Sequence, residues 1–273
     1  MERNIKRTLV PMLAALMLVF TGCTKEHKTA VVAHPGFWRC DQAGWTSNSV
    51  ASLTAAQDNA FWGSEFDINL TADDVVIVAH GPKYDEVSLR ESSYADTLRL
   101  LTLKNGEPIP TLDKYLDQAV KSPTVLVIEL KKQLDADREN LMTDKTMEAL
   151  KAHGLYDPRR VMFISFSLNI CRKIAKEHPA FTNQYLNGDI APADLRKDGI
   201  NGIDYFYTVL HEHPEWIGEA HDLGMSVNVW TIDKEEQIRE MIDLGVDQIT
   251  TNEPLLTREL LGKKEKPQNK LRK

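Results

Sequence analysis

The pair Glu65 and Asp67 is the first feature of this sequence that indicates chemistry. Both lie in segment 63–70, where apolar Phe66 and Ile68 alternate with them. Side chains two residues apart in a strand share one face, so the two carboxylates are held side by side. Their repulsion is unfavourable unless a cation or several donors offset it. The spacing therefore indicates a site for a hard divalent cation, and a pair of solvated strand carboxylates is the alternative.

Other reactive side chains end apolar runs elsewhere in the sequence. His34 ends segment 29–34, His80 ends segment 74–80, and Glu129 and Lys131 share one face of segment 124–131. A carboxylate after buried aliphatic residues is costly unless it is paired or metal-bound, although an ion pair of Glu129 with Lys131 would also explain it. Together these groups suit metal-assisted phosphoryl chemistry, with Mg²⁺ or Ca²⁺ on the carboxylates, proton transfer by the histidines and a lysine for a phosphate oxygen.

A regular alternation of strands and helices must position these groups. We predict eight strand-helix units, which indicates an α/β protein with a single-domain (β/α)8 TIM barrel, whose catalytic groups lie at the C-terminal ends of the strands. A long loop after His80 extends to residue 110, and loops of that length are usually functional. The predicted strands are 29–34, 63–70, 124–131, 161–166, 181–186, 202–209, 226–232 and 247–251.

The N-terminal residues are typical of an export signal. Residues 1–7 carry three basic side chains and one acidic one, and the apolar run 9–20 is too short to span a bilayer. The run ends before Cys23 in a pattern that resembles a bacterial lipobox. We therefore predict a lipoprotein signal peptide over 1–22, lipidation of Cys23 and a tether over 23–28. An ordinary signal peptide with an incidental cysteine is the alternative.

The barrel domain is predicted over 29–261, followed by a basic disordered tail over 262–273 with six Lys or Arg residues. The full sequence carries a net charge of −7, and loss of residues 1–22 leaves 30 basic and 39 acidic side chains, a net charge of −9. Such a surface argues against nucleic acid as a partner. We expect an exported protein, held on a bacterial membrane by its lipid and facing the periplasm or the cell surface.

Several short motifs occur in an order that resembles the glycerophosphodiester phosphodiesterase family, over nearly all of the sequence after the predicted signal. By this resemblance, the metal ligands are Glu65, Asp67 and Glu129. His34 and His80 are the two proton-transfer residues, and the sequence leaves open which is the acid and which the base. Lys131 contacts phosphate, and Trp230 lies near the substrate, although packing explains a large aromatic equally well. The motifs are His34-Pro35-Gly36, Ser47-Asn48-Ser49, Glu65-Phe66-Asp67, His80-Gly81, Pro110-Thr111-Leu112, Glu129-Leu130-Lys131, Ser165-Phe166-Ser167, Asn228-Val229-Trp230-Thr231 and 247–254.

Three positions depart from the family pattern. Pro35 replaces an arginine that would clamp phosphate, Ser47 replaces a glutamate, and Gly81 replaces an aspartate after the second histidine. Arg39 or Lys83 could supply the missing charge, but a distant guanidinium or a lysine does not substitute freely for a bidentate arginine. We therefore expect a retained metal site and a modified substrate pocket.

The resemblance implies a metal-dependent hydrolase that converts glycerophosphodiesters, or related phospholipid head-group esters, to an alcohol and a phosphomonoester. Its partners would be a small-molecule phosphodiester or phospholipid-derived substrate and, through the lipid anchor, a membrane. Two alternatives stay open. One is a membrane phosphodiesterase resembling phospholipase C or D. An exposed apolar loop near 84–103 that binds a bilayer would favour this alternative. The other is a metal-bound lipoprotein that binds phosphoesters without turnover.

Overall fold

A closed barrel of eight parallel strands forms the centre of the computed structural model, which describes residues 29–262. The predicted signal peptide, Cys23 and tether lie outside the described residues, as does the tail after Gly262. The strands are β1 (Ala30–Ala33), β2 (Gly63–Leu70), β3 (Val76–Val78), β4 (Lys83–Tyr84), β5 (Val87–Ser88), β6 (Val125–Leu130), β7 (Val161–Ser165), β8 (Thr182–Tyr185), β9 (Gly202–Phe206), β10 (Ser226–Trp230) and β11 (Gln248–Thr251).

The barrel closes because β1 pairs in parallel with two strands. Ala33 lies opposite Thr251 of β11 on one side and opposite Ser64 of β2 on the other. The ring runs β1, β2, β6, β7, β8, β9, β10 and β11, so the short strands β3, β4 and β5 do not belong to it. All eight strands end at the same mouth. The predicted (β/α)8 barrel is confirmed.

Helices follow the barrel strands and cover their outer faces. Several begin at a capping side chain that accepts a backbone N–H, including Ser49, Thr111 and Ser167. Apolar side chains such as Phe66 and Phe163 are buried between strands and helices, and each contributes about 1.5–3 kcal/mol to folding. None of the helices within 29–262 has the length and apolar character needed to cross a bilayer. The helices are α1 (Val50–Asp58), α2 (Leu112–Ala119), α3 (Ala136–Ala152), α4 (Leu168–Glu177), α5 (Pro192–Lys197), α6 (Tyr207–Glu212), α7 (Glu215–Asp222), α8 (Glu235–Leu244) and α9 (Pro254–Gly262).

Residues 71–110 form an insert between β2 and α2. Within it, β3 runs antiparallel to the end of β2 and β4 pairs with β5 in a small hairpin. The insert has an apolar cluster of its own, which includes Ile77, Leu89, Leu98 and Ile109. It is therefore a packed structure at the barrel mouth. The short strand predicted to end at His80 is β3, whereas the segment after His80, predicted as a long loop, carries the hairpin and part of this cluster.

One predicted strand is shorter in the structure. The expected strand 202–209 ends at Phe206, and α6 begins at Tyr207. The partner strand β10 ends at Trp230, which lies opposite Phe206, so no ladder partner remains for the next residues. Tyr207 instead stacks on His211 one helical turn later and donates a hydrogen bond to Glu240 of α8.

Candidate active site

Three carboxylates meet at the mouth of the barrel. One oxygen each of Glu65, Asp67 and Glu129 lies within 4.8 Å of the others, and all three residues are buried. The register explains the meeting, because Asp67 of β2 lies opposite Glu129 of β6 and Glu65 precedes Asp67 on the same face. Within the described part of the chain, neither side-chain oxygen of Glu65 has a hydrogen-bond partner.

Lys131 and Asn48 neutralise and orient Asp67. Lys131 Nζ lies 3.0 Å from Asp67 Oδ1 and 2.7 Å from Glu129 Oε1. Asn48 Nδ2 donates to Asp67 Oδ2 at 2.7 Å, while its own Oδ1 accepts from the backbone N–H of Asp67 at 3.0 Å. One carboxylate of the cluster is therefore fully engaged by the protein, while Glu65 is not.

Burial and mutual repulsion set the protonation of this cluster. Burial, the Asp67 charge and the Glu129 charge hold the pKa of Glu65 well above its usual value. Burial and Asp67 also raise the pKa of Glu129 to about 8, against the opposing effect of Lys131. Although burial raises it, Lys131 and other donors hold the pKa of Asp67 below its usual value. Without a bound cation, the ionised carboxylate of the cluster is thus Asp67.

His34 is oriented by a chain of hydrogen bonds. Its Nδ1 lies 3.3 Å from Asn252 Oδ1, which also accepts from Trp38 Nε1 at 2.9 Å. The amide nitrogen of Asn252 donates to Asp233 at 3.0 Å, so its oxygen must face His34. Nδ1 therefore carries the proton, and Nε2, 3.9 Å from Glu65 Oε2, presents a lone pair to the cavity. Burial lowers the pKa of His34, which favours this neutral form.

His80 lies on the insert, two residues after β3, and its side chain is exposed. No hydrogen bond to its ring is found among residues 29–262. Its backbone is held instead, because Asn69 Nδ2 donates to the carbonyls of Ala79 and His80, and Arg90 Nε donates to Asn69 Oδ1 at 3.0 Å. The next residue, Gly81, has φ +71°, and a Cβ there would lie 2.8 Å from Asn69 Nδ2. This close approach explains why glycine stands where the family pattern has aspartate.

A cavity of about 210 Å³ opens beside these groups. All predicted site residues of the barrel except Asp67 line this cavity: His34, His80, Glu65, Glu129, Lys131 and Trp230. Asp67 is not part of the wall, but its carboxylate lies within 4.8 Å of those of Glu65 and Glu129. Trp230 contacts Phe166 and Phe206 edge-on, with ring centroids 5.6 and 5.2 Å away. The indole therefore packs in the barrel mouth and borders the cavity at the same time.

The sequence did not predict a functional role for three further residues at the site: Asn48, Asn252 and Asp204. Two of them stand in motifs noted above, but their contacts to Asp67 and His34 depend on chain segments far apart in the sequence. Asp204 is an acid inside the apolar strand β9, the same signal that singled out Glu129. It lines the cavity and is fully buried, and no residue from 29 to 262 forms a hydrogen bond of normal length with its carboxyl oxygens.

The cations proposed to replace the missing arginine are engaged elsewhere. Arg39 Nη1 lies 2.7 Å from Glu253 and 3.4 Å from Asp233 at the rim of the barrel. Lys83, on the exposed hairpin of the insert, lies 3.8 Å from Glu86. Lys131 is thus the basic residue that borders the cavity, while Arg90 is fixed on Asn69 beyond Asp67 on the same strand.

The acidic cluster fits a divalent cation. Its donors are carboxylate oxygens, the ligands that Mg²⁺ and Ca²⁺ prefer. The two unpaired oxygens of Glu65 are the specific observation, because a buried carboxylate without a partner is costly and a cation would supply one. A cation would also favour the ionised forms of Glu65 and Glu129.

The fold and the site define a hydrolase of phosphoric diesters built on a (β/α)8 barrel. Residues 39–256 match the model of the glycerophosphoryl diester phosphodiesterase family, and the chain belongs to this family. It is 26% identical to a glycerophosphodiester phosphodiesterase from Caldanaerobacter subterraneus subsp. tengcongensis over 242 residues, 83% of this chain and 95% of that protein.

Solved structures agree with this assignment. A glycerophosphodiester phosphodiesterase from Parabacteroides distasonis superposes with a TM-score of 0.83 at 38% identity, over 86% of this chain and 98% of that one. A phosphodiesterase from Oleispira antarctica, solved in complex with the product sn-glycerol-3-phosphate, gives a TM-score of 0.73 at 19% identity, over 85% of this chain and 96% of that one. The second likeness concerns the fold alone.

Proposed function

We propose that this protein hydrolyses glycerophosphodiesters to an alcohol and a phosphomonoester with the help of Mg²⁺ or Ca²⁺. The convergence of three buried carboxylates, two histidines and one lysine on a single cavity carries this proposal. Glu65, Asp67 and Glu129 would hold the cation, and Lys131 would contact a phosphate oxygen. The product named in the Oleispira antarctica complex, sn-glycerol-3-phosphate, supports the same substrate class.

His34 is suited to be the general base. Its Nδ1 proton is committed to Asn252, so Nε2 can accept a proton from the attacking group. Attack by water gives the phosphomonoester directly, whereas attack by a neighbouring hydroxyl of the substrate releases the alcohol and gives a cyclic phosphate that water then opens. The link through Asn252 to Asp233 keeps the ring in this tautomer while the proton is transferred. A bound cation would polarise the phosphate oxygens and lower the pKa of a coordinated hydroxyl or water.

His80 is suited to be the general acid. It lies at the exposed rim, where a departing alcohol leaves the cavity, and it can take its next proton from solvent. Burial lowers the pKa of Lys131, but the charges of Asp67 and Glu129 outweigh burial and raise this pKa to about 12. Lys131 therefore stays charged at neutral pH. A lysine held in this way can neutralise an anionic phosphate but cannot act as the acid at neutral pH.

Release of sn-glycerol 3-phosphate from a panel of glycerophosphodiesters tests this proposal, with the chain from residue 24 onward. We expect turnover that EDTA abolishes and Mg²⁺ or Ca²⁺ restores. His34→Ala and His80→Ala should each lower kcat by about 10²- to 10⁴-fold, and Glu65→Gln should weaken cation binding as well. His178→Ala is the matched control, because this histidine bonds Tyr156 near the end of α4, away from the cavity.

No turnover of any diester, despite tight cation binding, would contradict the proposal and favour a binding lipoprotein. The other alternative, a phospholipase acting on intact membranes, has less support. The loop at 84–103 buries Leu89, Leu98 and Leu103, and Leu100 is its one strongly exposed aliphatic side chain. Such a loop presents little apolar surface to a bilayer.

The location of the protein also belongs to the proposal. The lipobox-like sequence before Cys23 supports export, cleavage and lipid attachment, followed by a short tether to the barrel at Thr29. A lipid-anchored enzyme on the periplasmic or outer face of a bacterial membrane would meet glycerophosphodiesters released from phospholipids there.

A further inference from the structure

The geometry points to Asp204 as a specificity-determining residue that accepts a hydrogen bond from a hydroxyl group of the substrate's alcohol portion, deep in the cavity. This inference rests on the proposed function, since it assigns one end of the proposed phosphodiester to one wall of the cavity. It concerns a residue outside the acidic cluster and outside the motifs that carry the resemblance.

The first argument is the isolation of the carboxyl group. Asp204 is fully buried on β9, and among residues 29–262 neither of its oxygens has a hydrogen-bond partner within normal distance. Asn228, directly opposite on β10, donates from its amide nitrogen to Thr250 Oγ1 at 2.9 Å. Burial holds the pKa of Asp204 well above its usual value, against the smaller, opposing effect of the Asn228 amide. The carboxyl group is therefore neutral in the free protein and keeps an acceptor for a donor that enters the cavity.

The second argument is the division of the cavity into two sides. Glu129 and Lys131 belong to β6 and its end, whereas Asp204 belongs to β9, three strands further around the barrel. A phosphate group bears acceptors and negative charge, so it belongs beside the ammonium group of Lys131. The groups of a phosphodiester that can donate to Asp204 are therefore those of its alcohol portions.

The third argument is the surroundings of Asp204. The indole Nε1 of Trp230 donates to the backbone carbonyl of Asp204 at 3.0 Å, and Phe166 contacts the same indole. A carboxyl group next to an aromatic wall suits a small polyol, with hydroxyls on the acid and C–H groups on the ring. Because His80 lies at the rim, the alcohol held at Asp204 is the one that keeps its phosphate, and the departing alcohol faces solvent.

Asp204→Asn and Asp204→Ala test this assignment. The substrates are glycerophosphocholine and two diesters without a free hydroxyl on the alcohol portion, propylphosphocholine and bis(4-nitrophenyl) phosphate. For each protein we divide kcat/KM for glycerophosphocholine by kcat/KM for either other diester. We expect Asp204→Ala to lower this ratio by about 10- to 100-fold, chiefly because KM for glycerophosphocholine rises. Asp204→Asn keeps an acceptor and should lower it less. Asp198→Asn, an exposed acid paired with Arg172, is the control for charge.

Three results would overturn the inference. An unchanged ratio would mean that Asp204 does not contact the alcohol. An equal loss on all three diesters, accompanied by weaker Mg²⁺ or Ca²⁺ binding in calorimetry, would assign Asp204 to the cation site. If the wild-type protein hydrolyses neither diester without a free hydroxyl, calorimetry with sn-glycerol 3-phosphate decides: equal affinity in wild type and Asp204→Ala overturns the inference, and weaker affinity in the variant supports it. The same measurement decides if glycerophosphocholine is not hydrolysed either, a result by which the proposed function fails.

Discussion

At the scale of single residues, Lys131 holds together a cluster that is otherwise repulsive. Its ammonium group lies within 3.0 Å of carboxylate oxygens of both Asp67 and Glu129, two residues that are themselves buried. Removal of one member of a buried ion pair leaves the other charge without compensation, which costs more than the pair itself contributes. The lysine therefore stabilises the metal-free fold, in addition to the phosphate contact proposed for it above.

Lys131→Met should lower the free energy of unfolding of the metal-free protein by about 3 kcal/mol, measured by urea denaturation in EDTA. Added Mg²⁺ or Ca²⁺ should raise the melting temperature of the variant more than that of the wild type, because the cation replaces the missing positive charge. Lys132→Met is the control: its side chain is exposed, and we expect a change within about 0.5 kcal/mol. Equal stability of the two variants would refute this account of Lys131.

At the scale of elements, the insert 71–110 is what brings His80 to the barrel mouth. Two devices fix it there: the bonds from Asn69 to the carbonyls around His80, and a turn anchored by Asp73. The Asp73 carboxylate accepts from the hydroxyls of Thr71 and Ser93 and from the N–H groups of Tyr94 and Ala95. Burial raises the pKa of Asp73, but the hydrogen bonds from these four donors have the larger combined effect and hold this pKa below its usual value.

Asp73→Ala should therefore loosen the insert at its far end. We expect the amides of Tyr94 and Ala95 to exchange with solvent about tenfold faster at pH 7. Because the pKa is depressed in the folded state, this protection is complete above the unfolded pKa of about 3.9 and is lost as the pH falls below it. Asp96→Ala, at an exposed position of the same turn, is the control. Unchanged exchange in Asp73→Ala would show that the cluster around Leu98 holds the turn alone.

At the scale of the whole molecule, a closed barrel places the groups of five different strands and one insert around a single cavity. His34 follows β1, Glu65 lies on β2, Glu129 on β6, Asp204 on β9 and Trp230 on β10. The C-terminal ends of all eight strands meet at one mouth. Substitutions of side chains there can alter the reaction without altering the side chains that pack inside the barrel below.

The proposed anchor is a whole-molecule property as well. In a bacterial host, we expect the full chain to fractionate with membranes and to enter the detergent phase of Triton X-114. Cys23→Ser should prevent lipid attachment and leave the protein in the aqueous phase or uncleaved. Equal partitioning of the two proteins would contradict lipidation at Cys23, without affecting the assignment of the cavity.

The sequence by itself determined the class of fold and half of the residues that line the cavity. Alternation of apolar runs with amphipathic segments fixes eight strand-helix units, and the spacing of Glu65, Asp67, Glu129 and Lys131 follows from the two-residue period of a strand. Such local rules also located most element boundaries within a residue or two. They erred at Tyr207, where the end of the neighbouring strand, rather than local preference, stops the ladder.

Only the tertiary structure decided how these groups act on one another. The tautomer of His34 depends on Asn252, 218 residues away along the chain, and the engagement of Asp67 depends on Asn48. Whether the carboxyl oxygens of Asp204 find a hydrogen-bond partner depends on the side chains of the neighbouring strands. Hydrogen bonds, burial and pKa shifts depend on distances between segments that are remote in the sequence, and those distances exist only once the barrel has closed.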